Sequence, residues 1–345
     1  MNSSDQTIDP TSVEPPDFSA DAVAAVVAEE YSLHGDYTQL VSERDQNFRL
    51  KSADGRRFVV KVTSLIEDRI ATDFQIAMLS HFEECGFDYT PRVVRTVSGR
   101  KRSIITSDAG QEYCLRVVTW LEGSLLNNVG LTTDNARRLG QRLAELHLAL
   151  EGFNFDGDGQ AGLWDMQAAL QLQDFLSHVN DEDVQEYTRD VLTQFEEFTA
   201  GALRALPVQA IHNDANPENI LIDADGNVSG FIDFGDAIRA PRVMDVAIAA
   251  SYLRTGGENP LELIEAFIEG YEQRNPLSNA EFDLLFDLIR MRLATTLILM
   301  YWRLSARDED DPYRQKTLEN ESNAFEFLVF LSDLGRDSFN RCKQT

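Results

Sequence analysis

The chain has 345 residues, 43% of them hydrophobic, and a formal net charge of −27 at neutral pH. That length favours two lobes over one enlarged core, and so acidic a chain repels nucleic acid and anionic membrane surfaces. Its longest strongly apolar run, around residues 293–301, is far short of the roughly 20 residues that a membrane helix needs.

Charge and cysteines narrow the partners further. Residues 121–345 hold 39 acidic against 18 basic side chains, a net −21, which favours a cationic small molecule approaching the second half. Cys85, Cys114 and Cys342 lack metal-ligand spacing and point to a reducing compartment, the cytoplasm.

In chain order, residues 1–19 are polar, acidic and proline-bearing, without the apolar core of a secretory signal. They predict a disordered leader. Over residues 21–31, Val23, Val26 and Val27 share one helical face. Strand-like pieces follow at 37–41, 47–51 and 57–62, the last two joined by a turn at 52–55. Residues 66–84 predict a helix with Ile70, Phe74, Ala77, Met78 and Phe82 on one side. Strands at 91–96 and 114–120, separated by a basic link at 98–103, complete a small antiparallel sheet over residues 20–119.

From residue 120 to 345 the pattern is helical, at 133–150, 164–179, 184–206, 243–253, 261–273, 279–304 and 322–334. In the first of these Thr133 is the expected N-cap and Leu139, Leu143, Leu146 and Leu150 recur at helical spacing. The fold class is α+β and bilobal, a small antiparallel-sheet N-lobe followed by a larger, mainly helical C-lobe.

One stretch interrupts the helices. His212-Asn213-Asp214-Ala215-Asn216-Pro217-Glu218-Asn219 is followed, fourteen residues after Asn219, by Asp233-Phe234-Gly235. Two apolar runs flank Asp225-Gly226-Asn227 between them, which predicts a β-hairpin. Such a hairpin returns Asp233 beside Asn219, so that the two can share one metal. The pattern is that of kinase-type phosphoryl transfer: Asp214 accepts the proton of an attacking hydroxyl, while Asn219 and Asp233 supply hard oxygen ligands to Mg²⁺ on a nucleotide. Asn216 is a candidate to hold Asp214 or the substrate hydroxyl. His212 is read as a prop for the loop. Asp245, set among apolar residues at a helix start, needs hydrogen-bond donors, and the loop's backbone is the natural source. Trp164 and Asp165 suit an ammonium group, or else a core ring and a helix cap.

Lys61, at the end of an apolar strand, needs an anionic partner, and a nucleotide phosphate is the expected one. A kinase lysine pairs with a glutamate on the following helix. Here Gln75 stands at the aligned position, with Asp73 two residues before it. The turn expected over the phosphates, residues 42–47, has no glycine, so its contacts would come from backbone N–H groups, Ser42 and Asn47.

These residues, with Thr119-Trp120-Leu121-Glu122-Gly123 and Leu143-Ala144-Glu145-Leu146-His147, resemble the aminoglycoside/choline phosphotransferase family, with its protein-kinase-like fold. The resemblance runs from about residue 20 to 340, and within the family it is greatest to hydroxylysine kinases. It implies transfer of the γ-phosphoryl of GTP or ATP to the hydroxyl of 5-hydroxylysine or a similar small hydroxylated amine. It implies Asp214 as the catalytic aspartate, Asn219 and Asp233 as metal ligands, Lys61 at the phosphates, and the backbone of the hinge Val118–Leu121, Val118 and Trp120 included, at the nucleotide base. The acceptors homoserine, choline, ethanolamine and an aminoglycoside are alternatives on the same fold. A catalytically silent binding module is a further one, favoured by Gln75 and the glycine-free turn and opposed by intact Asp214, Asn219, Asp233 and Lys61.

Overall fold

Alternation of buried and half-exposed residues builds the first sheet of the computed structural model, which describes residues 15–42, 44–65, 67–157, 159, 162–255, 259–305 and 322–340. Most of the expected leader and Cys342 lie outside these residues, and Cys85 and Cys114 are free thiols. The sheet comprises β1 (Gly35–Leu40), β2 (Gln46–Ser52), β3 (Arg57–Val62), β4 (Val93–Val94), β5 (Ser103–Thr106) and β6 (Glu112–Thr119). Its order is β1-β2-β3-β6-β4, with β5 also on β6, and every pairing is antiparallel. Phe48, Leu50, Phe58, Val60, Val62, Leu115 and Val117 pack on Val23, Val27 and Tyr31 of α1 (Ala20–Tyr31).

Because side chains alternate along a strand, the opposite face of the same strands carries a different set. Asn47 on β2 pairs with Lys61 on β3, and Lys61 with Arg116 on β6. Three polar residues thus line up across the sheet. Strand β5 begins inside what reads as a basic link, because Ser103 and Ile105 are its only buried residues and the charged flank hides the alternation. Helix α2 (Arg69–Cys85) starts on Asp68, whose carboxylate accepts the Ile70 N–H, and stops at Gly86 with φ 76°.

The chain divides into two compact units. The first holds Met1–Gly123, Phe153–Gln160 and Ser229–Gly235; the second holds Ser124–Gly152, Ala161–Val228 and Asp236–Thr345. Two short segments far along the chain therefore belong with the first sheet, which a contiguous division at residue 119 does not contain.

The second unit is mostly helical. Its helices are α3 (Thr133–Ala149), α4 (Glu182–Gln194), α5 (Ala200–Arg204), α6 (Val243–Ser251), α7 (Glu262–Glu272), α8 (Asn279–Ser305), α9 (Ser322–Leu334) and α10 (Arg336–Asn340). The N-cap of α3 is Thr132, not Thr133: Thr132 and Asn135 form a reciprocal capping box. The expected helix at 164–179 is a 3₁₀ helix, Met166–His178, whose buried residues Met166, Ala169 and Leu172 fall at every third position. The expected 184–206 helix is broken by a π turn at Phe195–Thr199. Helix α8 is buried almost all round, from Phe282 to Met300, as befits a central core helix. No described helix is long and apolar enough to cross a membrane. Short strands β7 (Ser124–Leu125) and β9 (Ile220–Ile222) pair, as do β8 (Gln209–Ile211) and β11 (Ile238–Ala240).

Candidate active site

The loop after β8 is fastened from beneath. Asp245, in the first turn of α6 and fully buried, accepts the backbone N–H of His212 at 2.8 Å and of Asn213 at 2.6 Å. His147 Nε2 on α3 reaches the same carboxylate at 3.0 Å, and its Nδ1 meets the Tyr271 hydroxyl of α7 at 2.7 Å. Burial pushes the Tyr271 phenol up, so it stays protonated and donates to Nδ1. Nε2, facing an acceptor carboxylate, is then the ring nitrogen that donates to Asp245. A buried carboxylate with three donors is satisfied, and the loop's backbone supplies two of them, as the sequence leads one to expect.

Above this clamp Asn213 takes a left-handed φ of 63°, and the Asp214 N–H donates to His212 Nδ1 at 3.2 Å. His212 is fully buried and shapes the loop. The Asp214 carboxylate gathers the other loop residues. Its Oδ1 accepts from Asn216 Nδ2 at 2.9 Å and from Arg292 Nη2 at 3.1 Å, and its Oδ2 from Asn219 Nδ2 at 2.7 Å. Asn219 Nδ2 also reaches the Asp214 carbonyl at 3.0 Å. With its nitrogen engaged twice, the Asn219 amide has its oxygen as the atom to offer a cation. Strands β9 and β10 (Val228–Phe231) flank the turn, where Asp223 N–H donates to the Asn227 carbonyl at 2.9 Å and Gly226 has φ 78°.

In the first unit, Lys61 Nζ lies 3.0 Å from Asp233 Oδ1 and 3.8 Å from Asp45 Oδ2. Asp233 has a left-handed φ of 56° and a half-exposed side chain, while the following Phe234 is buried against Phe82. Neither helix residue weighed as the lysine's partner meets it. Asp73 pairs with Arg102 at 2.8 and 3.1 Å. Gln75 donates to the Gly235 carbonyl and to Glu67 Oε1, each at 3.2 Å, and accepts from Arg116 Nη2 at 2.8 Å.

The carboxylates around these cations come from loops instead. Asp45 Oδ1 accepts the Ser64 N–H at 3.0 Å, which turns Oδ2 toward Lys61 and Arg116. Burial raises the Glu67 carboxyl above its ordinary value, with Arg116 working the other way. Burial also opposes the charge of Arg116, but Glu67 and Asp45 outweigh it and raise its pKa. Asp45, Glu67 and Arg116 are missed by sequence reasoning. The one available signal was Arg116 itself, a charge inside the apolar strand Leu115-Arg116-Val117-Val118. Ser42 and Asn47 are together: Asn47 Nδ2 donates to Ser42 Oγ at 3.0 Å, and Asn47 Oδ1 is buried with no hydrogen-bond partner.

A family model described as the phosphotransferase enzyme family matches residues 36–282. The chain belongs to that family. This phosphotransferase is 26% identical over 321 residues to the hydroxylysine kinase of Mus musculus, across 86% of this chain and 84% of the relative. It is 30% identical over 240 residues to the homoserine kinase of Neisseria meningitidis serogroup B, across 69% and 73%. Among solved structures, an amicoumacin kinase in complex with AMP-PNP, Ca²⁺ and Ami matches its fold with a TM-score of 0.70 at 15% identity, over 90% of this chain and 94% of that one. The fold is protein-kinase-like and α+β.

Two further positions of the phosphotransferase are placed by the structure. Val118 is buried in β6, where it pairs with Val59 of β3 on one side and Val93 of β4 on the other. Trp120 N–H donates to the Arg57 carbonyl at 3.2 Å, with the Arg57 guanidinium 5.6 Å from its ring. Asp165 is a buried N-cap, accepting the Gln167 N–H at 2.9 Å. The Trp164 ring has the Arg292 guanidinium 4.5 Å away and that of Arg303 5.4 Å away. The pair does not form an ammonium cage. Arg292, too, is missed by sequence reasoning, although an arginine between Met291 and Leu293 in an apolar helix is a signal of the same kind as Arg116.

Proposed function

We propose that this phosphotransferase is a small-molecule kinase that transfers the γ-phosphoryl of ATP or GTP to the side-chain hydroxyl of an amino alcohol, 5-hydroxylysine or a close relative. The observation that carries this reading is Asp214, an oriented and partly exposed carboxylate on a loop clamped by Asp245. The acceptor oxygen attacks the γ-phosphorus as the bridging bond to the nucleoside diphosphate breaks, and the hydroxyl proton passes to Asp214. In so loose a transition state alignment contributes most. Asn216 and Asn219 fix the direction of the Asp214 carboxylate. Lys61, steadied by Asp45 and Asp233, binds the phosphates, with Ser42, Asn47 and the backbone of the turn beside them. Gln75 acts one step back, by joining Arg116 to the Gly235 carbonyl. The main chain around Val118 and Trp120 meets the base.

Asn219 and Asp233 bring an amide oxygen and a carboxylate, the hard donors Mg²⁺ takes when phosphates and water complete its octahedron. That ion would neutralise charge on the transferring phosphoryl. A reducing, nucleotide-rich compartment such as the cytoplasm suits such an enzyme and its free thiols Cys85 and Cys114. The likeness to a homoserine kinase supports homoserine as the second acceptor to consider.

Paired variants test the assignment. Asp214→Ala should abolish phosphoryl transfer with Mg²⁺-nucleotide binding kept in calorimetry, while Asp233→Ala should lose both. Equal, mild losses would mean the roles are misassigned. Wild-type protein that binds nucleotide yet phosphorylates no hydroxylated amine would favour the silent module.

A further inference from the structure

Asp214 does not need Arg292 to accept a proton, yet α8 buries this guanidinium in its apolar middle, only 2% exposed. Burying a cation is expensive unless its donors are matched. Arg292 Nη2 reaches Asp214 at 3.1 Å and the Tyr252 hydroxyl at 3.4 Å, while Nε and Nη1 are buried with no hydrogen-bond partner. Burial works against its charge, but Tyr252 and Asp214 outweigh it and raise its pKa.

The surroundings repeat the theme. The Arg292 guanidinium lies 4.5 Å from the Trp164 ring centre and 5.9 Å from that of Tyr252. Arg303 lies over the same Trp164 ring at 5.4 Å, and Arg254 over Tyr252 at 5.7 Å. Three guanidinium groups thus lie over two aromatic rings, and Arg292 joins them to Asp214, with Asp236 also favouring its charge, in the part of the chain that carries most of its negative charge. The charge of the protein as a whole does not explain a cationic cluster at that place. A cation such as choline or an aminoglycoside would meet like charge there. A carboxylate would not: it matches the fork of a guanidinium in shape and supplies the acceptors that the unpartnered donors lack.

We infer that Arg292, flanked by Trp164, Tyr252 and Arg303, receives a carboxylate of the acceptor, so that the substrates are hydroxy amino acids and not amino alcohols lacking a carboxylate. The inference rests on the kinase reading and narrows it. The carboxylate, held at Arg292, sets the distance at which the acceptor's side-chain hydroxyl meets Asp214. Arg292 is in this sense a specificity-determining residue.

Matched acceptors provide the test. The purified full chain with Mg²⁺-ATP or Mg²⁺-GTP is offered hydroxylysine against its decarboxylated diamine alcohol, and homoserine against aminopropanol, with nucleoside diphosphate release as the readout. Within the better pair, kcat/KM should favour the carboxylate-bearing member by about 100-fold or more, the order expected when a buried charged donor loses its partner. In Arg292→Lys and in the less buried Arg303→Gln, that preference should shrink by roughly tenfold, mostly through the acceptor KM, with the nucleotide KM held. Equal turnover of both members by the wild type overturns the inference and leaves the kinase reading intact. So does a loss in the variants that is alike for both members, which would assign Arg292 to Asp214 or to the transferring phosphoryl. No transfer to any of the four acceptors overturns both. The wild-type comparison decides the matter even if the Arg292 variant does not fold.

Discussion

Asp245 shows what one buried carboxylate can hold in place. It accepts two consecutive backbone N–H groups and a histidine N–H, and all of these groups are sequestered from water. Asp245→Ala leaves the His212 and Asn213 amides without acceptors, and should cost about 3–5 kcal/mol of stability, measured by urea unfolding. A loss below 1 kcal/mol would mean that the loop finds other acceptors. Asp45 acts on a cation in a similar way. It faces Lys61 and Arg116 from the turn between β1 and β2, a stretch that in sequence is an ordinary polar turn. Asp45→Asn should raise the nucleotide KM about tenfold, the worth of one charge-assisted contact, with the acceptor KM unchanged. An unaltered nucleotide KM would leave the orientation of Lys61 to Asp233 alone. The aspartates and asparagines of the loop are legible in sequence because their spacing is local. Asp45, Glu67 and Arg292 were not, since each owes its place to partners brought near by packing.

At the level of elements, the close contact of α3 with α7 is made by glycine. A Cβ at Gly140 would lie 2.0 Å from the Phe267 carbonyl oxygen, and one at Gly270 2.0 Å from that of Arg137. Backbone cannot yield as a flexible side chain can, so Gly270→Ala should destabilise the protein by roughly 1–3 kcal/mol, seen as a lower midpoint in thermal or urea unfolding. His147 and Tyr271 sit on these two helices. The same variant should therefore loosen the hold on Asp245 and lower kcat, and full activity in a destabilised protein would separate the two. The helices themselves were visible as periodicity, but their terminations were less so. The 3₁₀ geometry of Met166–His178 and the π turn at Phe195–Thr199 arise where buried residues must meet neighbours that no local pattern names. Strand β5 escaped for a different reason: it is four residues long, and the charged flank before it hides its alternation.

For the molecule as a whole, the net charge of −27 has a cost of its own. Like charges on one surface repel, and the Debye length shrinks from about 30 Å at 0.01 M salt to about 3 Å at 1 M. The melting temperature should rise between those salt concentrations, and a flat response would mean that local pairing already cancels the repulsion. Mg²⁺-nucleotide at a hundred times its dissociation constant should add about 2.7 kcal/mol of stability, read as a shift in thermal melting. By itself the sequence determined a small antiparallel-sheet half followed by a mainly helical one, the turn at Asp225-Gly226-Asn227, and the identity of Asp214, Asn219, Asp233 and Lys61 as the groups to look for. These are properties of neighbours along the chain, where spacing and turn chemistry act directly. The tertiary structure alone decided that Lys61 faces Asp233, 172 residues away, and that Arg292 faces Asp214, 78 residues away. Pairings at that range depend on which faces the elements bury against one another, and the period of a helix or strand carries no record of its partner.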